Sequence, residues 1–130
     1  MNFPVYTAAV SSTHSYKTLP LMNGEFHHLF CWDFVFTGTM TGKLYVDVSN
    51  SPIETIRRDL GGVDATDFAV WRAYDRLKDK AGTQLDYITV SAAMADVIRL
   101  LTAADNAVRL RYVNETNSGV FTATPSSRKA

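Results

Sequence analysis

Cysteine is almost absent from this chain of 130 residues, in which Cys31 is the single one. One thiol cannot form an intramolecular disulfide or supply the several thiolates of a zinc or iron–sulfur site, so the fold must depend on packing alone. Cys31 lies in the apolar run 29–32. This setting favours a small buried side chain over a reactive nucleophile.

The chain also lacks an excess of charge of either sign, because 13 Lys and Arg residues balance 13 Asp and Glu residues. Binding to nucleic acid or to an anionic membrane surface is driven by basic residues, so we expect neither partner. No window approaches the 18 or so consecutive apolar residues of a membrane-spanning helix. The N-terminus has neither the basic start nor the apolar core of a signal peptide, so secretion is not expected.

Sequence motifs of catalysis and of cofactor binding are absent as well. No Gly-x-Ser-x-Gly elbow indicates a Ser–His–Asp triad, and the Gly61-Gly62 pair lacks a phosphate-loop motif and predicts a turn. Neighbours in a strand project from opposite faces, so His27 and His28 are not expected to share a metal ion, and His14 lacks a supporting ligand pattern. We therefore predict no enzymatic activity, no catalytic or metal-binding residues and no cofactor.

The acidic residues leave two weaker alternatives open. Asp33, which lies between two aromatic residues, is the one carboxylate whose apolar setting could suit glycoside hydrolysis. A place at a sheet margin, or a role in capping backbone donors, is favoured for it. Asp59, Asp64 and Asp67 could offer oxygen ligands to calcium, but their spacing lacks the Asp-x-Asp-x-Asp-Gly pattern.

The basic residues Arg109 and Arg111, together with Arg99, could form a stripe that binds nucleic acid. The sequence places no aromatic residue on the same strand face for base stacking. A solvated face, or ion pairs between subunits, is therefore the favoured interpretation.

Alternation of apolar and polar residues is the strongest pattern that the chain does contain. Residues 42–49 place a leucine and two valines on one face of a strand and polar side chains on the other, solvated face. Residues 107–113 repeat the pattern, with Arg109 and Arg111 on the polar face. Residues 28–36 are apolar on both faces, which predicts a strand that is central in its sheet or covered by a partner.

Turn residues separate these strands from further candidates, which lie at 5–10, 18–22, 85–90 and 120–124. About seven short strands punctuated by Gly, Asn and Pro predict an all-β fold, an antiparallel β-sandwich. The length and the 46% of hydrophobic residues suit one compact unit, so we predict a single domain over 1–130.

Two regions fit more than one secondary structure. At 68–80 aromatic and apolar residues recur at about helical spacing, which would allow one short helix, but 68–71 could equally form a strand before a charged loop. At 92–104 the alanine-rich start favours a helix, whereas 97–101 could begin a hairpin. We favour a strand in this second region.

Both ends of the chain differ in composition from the middle. Polar residues at 11–15 interrupt the N-terminal segment, and 123–130 has almost nothing to bury. We expect an extended N-terminal arm over about 1–16 and a C-terminal tail over about 123–130. Neighbouring chains are the expected partners that hold these arms.

Two segments resemble a known class of proteins. The stretch 38–52, in which Gly-Thr-x-x-Gly-x-Leu leads into an alternating strand that ends in Ser-Asn, resembles small virion proteins of tailed bacteriophages. The sequence at 108–112, the Asn-Ser-Gly-Val-Phe stretch at 117–121 and the basic pair Arg128-Lys129 look like the closing hairpin of the same pattern. Together these segments cover under half of the chain.

The resemblance implies a jelly-roll-like β-sandwich that packs on a capsid or tail as a cement or decoration protein, without catalytic residues. Its implied partners are the major capsid protein and further copies of the chain. Its implied location is the virion, assembled in the cytoplasm of the bacterial host. Head and tail positions are both compatible with the resemblance.

Two other functions stay open on the sequence. A module associated with a tail or head fibre could bind carbohydrate by stacking sugar rings on exposed aromatic residues, for which Tyr45, Trp71 and Tyr74 are candidates. An enzyme would need a pocket in which acids or a histidine converge, and Asp33 is the residue around which such a cleft would form.

Overall fold

The protein is built almost entirely from β-strands. The structure is a computed structural model that describes residues 5–22, 29–79, 81–101 and 105–128. Its strands are β1 (Tyr6–Val10), β2 (Ser15–Lys17), β3 (Leu21–Met22), β4 (Leu29–Gly38), β5 (Thr41–Ser49), β6 (Gly62–Val63), β7 (Arg72–Ala73), β8 (Ile88–Ser91), β9 (Met94–Leu101), β10 (Ala107–Thr116) and β11 (Gly119–Arg128). A short helix, α1 (Ile53–Ile56), follows β5. No helix in the described ranges has the length and apolar character of a membrane span.

The strands form two antiparallel sheets. The four-stranded sheet has the order β1-β11-β4-β9, and the larger sheet has β2-β10-β5 at its centre, with β8 paired to β5. If only the strands of three or more residues are numbered in chain order, the two sheets read 1-8-3-6 and 2-7-4-5. This is the strand order of a jelly roll, a double Greek key in which the chain alternates between the sheets. The predicted antiparallel β-sandwich is confirmed.

Aromatic side chains fill the space between the sheets. Alternate residues of each strand point inward, and the largest fully buried ones are Trp32, Tyr16, Tyr112, Phe30, Phe34, Phe36 and Phe121. Phe36 lies at the centre, with its ring centroid 4.7 Å from those of Tyr112 and Phe121. Phe36 comes from β4, Phe121 from β11 and Tyr112 from the opposite sheet. These rings therefore join both sheets.

Each predicted strand overlaps an observed one, and the strand favoured within 92–104 is confirmed by β9. The two alternatives for 68–80 are wrong, because its described part, 68–79, is a loop with only the short strand β7. Its aromatic periodicity does not make one helix face: Phe68 is exposed, whereas Tyr74 and Leu77 enter the core. The short helix lies instead at α1, directly after Pro52, whose fixed φ suits a helix start.

The predicted terminal arms are largely strands of the same sheet. β11 extends to Arg128 and pairs along its whole length with β4, and β1 pairs with β11. We expected neighbouring chains to hold the tail at 123–130, whereas 123–128 is held by β4 of the same chain. The low apolar content of this segment misled the prediction, because backbone hydrogen bonds to β4 hold it whatever its side chains.

Of the two alternatives for this strand, a central position in its sheet is the one that the structure shows for β4, and its outer face is open within the described chain. β4 lies between β11 and β9, so it is an interior strand. Its inward side chains are buried, whereas Asp33 and Val35 on the opposite face are exposed. No segment of the described chain covers this outer face.

The two segments that carry the bacteriophage resemblance meet at one end of the sandwich. Gly38 pairs with Gly119, and the Thr39 N–H donates to the Ser118 carbonyl at 3.2 Å. Gly38 has a φ of 118°, which disfavours any side chain. A Cβ at Gly119 would overlap the Met40 side chain and the Thr37 carbonyl. Glycine is thus required at both positions for this close approach.

We predict that Phe36→Ala lowers the free energy of unfolding by about 3–5 kcal/mol, because it removes a ring that packs against both sheets. Urea denaturation of the purified chain measures this change. The matched variant Val35→Thr, at the next residue but on the outer face, should change the same quantity by less than about 0.5 kcal/mol. Equal losses for the two variants would contradict the described orientation of β4.

Candidate functional site

The outer face of the larger sheet carries a cluster of charged and aromatic side chains. Across the β5–β10 pair, Arg109 is opposite Asp47 and Arg111 is opposite Tyr45. Directly opposite residues lie on the same face of a sheet, so all these side chains point away from the aromatic core. With Asp67 and Trp71 from the following loop, Asp47, Arg109 and Arg111 form what we call the arginine cluster.

Arg109 is the centre of the arginine cluster. Its side chain is only 3% exposed although it lies on an outer face. Its two terminal nitrogens donate to the two carboxylate oxygens of Asp67 at 2.6 and 2.9 Å, and its Nε donates to Asp47 at 3.3 Å. The guanidinium also lies 4.0 Å from the centroid of the Trp71 ring. The positive charge is thus neutralised by two carboxylates and covered by an aromatic face.

Asp59 shapes the loop that covers the arginine cluster. Its buried carboxylate accepts hydrogen bonds from the backbone N–H groups of Phe68 and Ala69, and from the Trp71 indole N–H at 2.5 Å. Ser49 then donates its hydroxyl hydrogen to the Val70 carbonyl at 2.7 Å. These bonds fix the 59–71 loop across the sheet and place the Trp71 ring over Arg109.

An open cleft of about 680 Å³ lies beside the arginine cluster. Acidic and basic side chains line it in equal numbers: Asp47, Asp64, Asp67 and Asp86 against Lys17, Arg72, Arg109 and Arg111. Most of these charges already have partners within the chain, such as Lys17 with Asp67 and Arg72 with Asp105. The formal charges that line the cleft therefore sum to zero.

The pKa of the Asp67 carboxyl departs from its usual value. Burial by itself would raise the pKa of the Asp67 carboxyl, but the hydrogen bonds and positive charge of Arg109, helped by Lys17, lower the pKa below the ordinary value of 3.8. Asp67 is consequently ionised at neutral pH, and the ion pair with Arg109 favours the folded state.

The sequence interpretation of Arg109 and Arg111 is wrong in two respects. Arg109 is neither solvated nor a partner for another subunit, because its ion pairs are with Asp47 and Asp67 of the same chain. Aromatic rings do share this face, since Arg111 lies 4.3 Å from the Tyr45 ring centroid. Arg99 does not join them, because it lies on β9 in the other sheet.

The three acids considered as calcium ligands point to different partners. Asp59 binds backbone donors and Trp71, and Asp67 binds Arg109. Asp64 accepts a hydrogen bond from the Ser15 N–H and contacts His14. Within the described ranges no three metal-binding side chains converge.

His14 and Asp64 form two of the three members of the arrangement found in a catalytic triad. The His14 Nδ1 lies 2.6 Å from the Asp64 carboxylate, and both side chains are about half exposed. A triad also needs a serine hydroxyl on the other ring nitrogen. In the part of the chain that the structure describes, no such hydroxyl hydrogen-bonds to His14. His27 and His28 lie outside the described residues.

Two residues nominated from the sequence lie together on the outer face of the four-stranded sheet. Asp33 is exposed on the interior strand β4, not at a sheet margin and not in a cleft. Cys31 is on the same face and is partly exposed, so the expectation of a buried thiol is wrong. Alternation places 31, 33 and 35 on one face, but the sequence did not show that this face is open.

The sequence interpretation missed the exposed outer face of the four-stranded sheet. We call it the open face. The described residues that point outward on it are Thr7, Ala9, Cys31, Asp33, Val35, Thr37, Ala95, Val97, Arg99, Val120, Thr122, Thr124 and Ser126. Val35, Val97 and Val120 are each about two-fifths exposed. Asp33 and Arg99 are the charged members among these residues.

No model of a protein family matches this chain, and no curated protein matches it.

We predict that Arg109→Met lowers the free energy of unfolding by about 3 kcal/mol or more, because it leaves the buried Asp47 carboxylate with one partner fewer and Asp67 without its bidentate partner. Chemical denaturation measures the loss. Arg57→Met, which changes an exposed arginine after α1, should cost less than about 0.5 kcal/mol. Similar values for the two variants would show that the arginine cluster does not stabilise the fold.

We also predict that the stabilisation due to Asp67 depends on pH. A carboxyl whose pKa is lowered on folding stabilises the protein at pH values above its unfolded pKa, and this contribution disappears as the pH falls through the lower folded pKa. The difference in unfolding free energy between the wild type and Asp67→Asn should be constant from about pH 7 to pH 5 and should shrink below about pH 4.

Denaturant titrations at several pH values measure this difference. Asp86→Asn provides the control, because Asp86 is an exposed acid beside the same cleft. A gap between the wild type and Asp67→Asn that is as large at about pH 2 as at about pH 7 would contradict the assignment.

Proposed function

We propose that this protein is a non-enzymatic virion protein that stabilises a bacteriophage capsid. In this proposal the open face packs against major capsid subunits, and further copies of the chain pack beside it. The observation that carries the proposal is the contrast between the two outer faces of the sandwich. One face is charged and covered by its own loop, whereas the other is nearly uncharged and has no cover within the described chain.

The chemistry of the open face suits contact with another protein. Threonine, valine, alanine and serine make up most of it, so little charge would have to leave water on binding. Short and β-branched side chains also lose little rotamer freedom when they are covered. A flat surface of this kind can be buried without large ordering costs.

The size of the open face is adequate for a substantial contact. Four strands at the usual spacing and about eight residues of each give a surface of roughly 19 Å by 27 Å, or on the order of 500 Å². A standard interface buries about 800 Å² from each partner. The open face would thus supply over half of one such interface, and neighbouring loops would supply the rest.

The fold is compatible with this function but is shared by proteins of other functions. Jelly rolls occur in viral capsid domains and also in lectins, and a fold shared by several functions cannot decide among them. The surfaces of this chain are therefore the better guide.

The carbohydrate-binding alternative has less support from the side chains nominated for it. Tyr74 lies in the core and is only 8% exposed. The Trp71 ring is held between its hydrogen bond to Asp59 and the guanidinium of Arg109. Tyr45 has Arg111 against its ring and Tyr87 beside it. The aromatic groups near the cleft are thus already engaged within the chain.

We predict that Val35→Lys reduces incorporation into phage particles by about tenfold or more, because a lysine at the centre of the open face would be buried in the interface without a partner. The measurement is the copy number of the chain in purified particles, obtained by quantitative mass spectrometry. Thr66→Lys adds the same charge to an exposed loop position over the other sheet and should leave the copy number unchanged.

Cys31 provides an independent measurement on unmodified protein. Its thiol lies on the open face, so a thiol-specific label should react with it in the free chain and should react much more slowly in particles. Normal incorporation of Val35→Lys, or equal labelling of Cys31 in both states, would contradict the proposed docking face.

A further inference from the structure

β9 is a free edge of the four-stranded sheet. It pairs with β4 on one side, and no strand of the described chain pairs with it on the other. It is eight residues long, whereas β1 at the opposite edge has five. Unpaired N–H and C=O groups along such an edge can bind a strand of another molecule, which leads to fibres or unwanted dimers.

Asp96 places a negative charge on the inward side of this edge. The β4–β9 register sets Asp96 opposite the buried Phe34, on the same face as Ile98 and Leu100. Asp96 itself is exposed, because the two sheets part here to form a cleft of about 830 Å³. Leu77, Leu85 and Ile88 line the same cleft. The position alternates with core residues, so the pattern alone would favour an apolar side chain there.

The Asp96 carboxylate also engages the backbone of the edge. Its Oδ1 accepts a hydrogen bond from the Val97 N–H at 2.8 Å. N–H groups of a strand alternate between its two sides, so a strand added to β9 would need every second one of them. Asp96 already occupies the group at the middle of β9.

We propose that Asp96 prevents β9 from pairing with β9 of a second copy, and so confines association to other surfaces. Antiparallel pairing of two β9 edges about a two-fold axis would join two four-stranded sheets into one. The added strand would have to displace the carboxylate from the Val97 N–H and would cover its charge at the edge of the cleft, which Arg76, Lys78, Asp79 and Arg99 line together with the apolar residues. Moving an ionised carboxylate out of water in this way costs free energy and so opposes the pairing.

This inference does not require the capsid function. If the proposed function also holds, the two surfaces have complementary roles, because the open face is available to partners while the edge beside it is closed. Association through the open face and association through the β9 edge can be measured separately, since Cys31 reports on the former and the Val97 amide on the latter.

The test uses the full chain with Asp96→Val and Asp96→Thr, measured by sedimentation velocity over a range of concentrations. Both variants should dimerise at concentrations at least about tenfold lower than the wild type does. Hydrogen exchange at the Val97 amide should slow in the dimer, while labelling of Cys31 stays as fast as in the monomer. Asp96→Thr removes the charge but leaves a polar hydroxyl on a β-branched side chain that suits a strand, so it serves if the valine variant folds poorly.

Two further variants distinguish the effect of the charge at Asp96 from non-specific hydrophobic association. Asp75→Val removes an exposed acid from the nearby loop and should sediment as the wild type does. Asp96→Lys restores a charge of opposite sign at the edge and should also stay as the wild type. Unchanged sedimentation of Asp96→Val and Asp96→Thr, or dimers in which the Val97 amide exchanges as fast as before, would overturn the proposal.

Discussion

The buried guanidinium of Arg109 is the constraint on which the surface of this protein depends. A positive charge with a 3% exposed side chain cannot stay on the outer face of a sheet unless carboxylates and hydrogen-bond acceptors surround it. Asp47 comes from the adjacent strand, but Asp67 and Trp71 come from the loop that follows α1. The loop must therefore cross the sheet, and Asp59 fixes its path through backbone donors.

This requirement makes the two sides of the sandwich unequal. The larger sheet is covered by the 59–71 loop, which adds a small second core of Ile56, Ala69 and Ala107 on its outer side. The four-stranded sheet receives no such cover within the described chain, and its outward side chains are short and mostly uncharged. A surface with few charges loses little hydration free energy when a partner covers it. The physical asymmetry thus leaves one face suited to assembly.

Much of the fold could be predicted from the sequence, because it depends on local alternation. Apolar and polar residues alternate over 43–49 in β5 and over 108–112 in β10, and the aromatic face of β4 predicts an interior strand. The full length of strand β11 was harder to predict from the sequence. Its second half contains Thr, Pro and Ser, and it is held by backbone hydrogen bonds to β4 that no side-chain pattern reveals.

The surface of the protein could not be predicted in the same way. Alternation shows that Arg109 points outward, but it cannot distinguish a solvated residue from one that a loop covers. The partner Asp67 is 42 residues away along the chain, and only the tertiary fold brings it to Arg109. The periodicity at 68–80 was misleading for a related reason. Phe68 and Trp71 lie in the loop outside the sandwich, whereas Tyr74 and Leu77 pack in the core. The four side chains therefore do not form one helical face.

The balance of charge explains why local features must control association. A chain with 13 basic and 13 acidic residues has almost no long-range repulsion between its copies. An open face and a free strand edge on such a molecule would both attract partners. A carboxylate at Asp96 acts only where a strand would pair, so it closes the edge without adding charge to the open face beside it. A neutral sandwich has no overall charge repulsion between its copies. Unwanted pairing must therefore be prevented by a charged group at the place where it would occur.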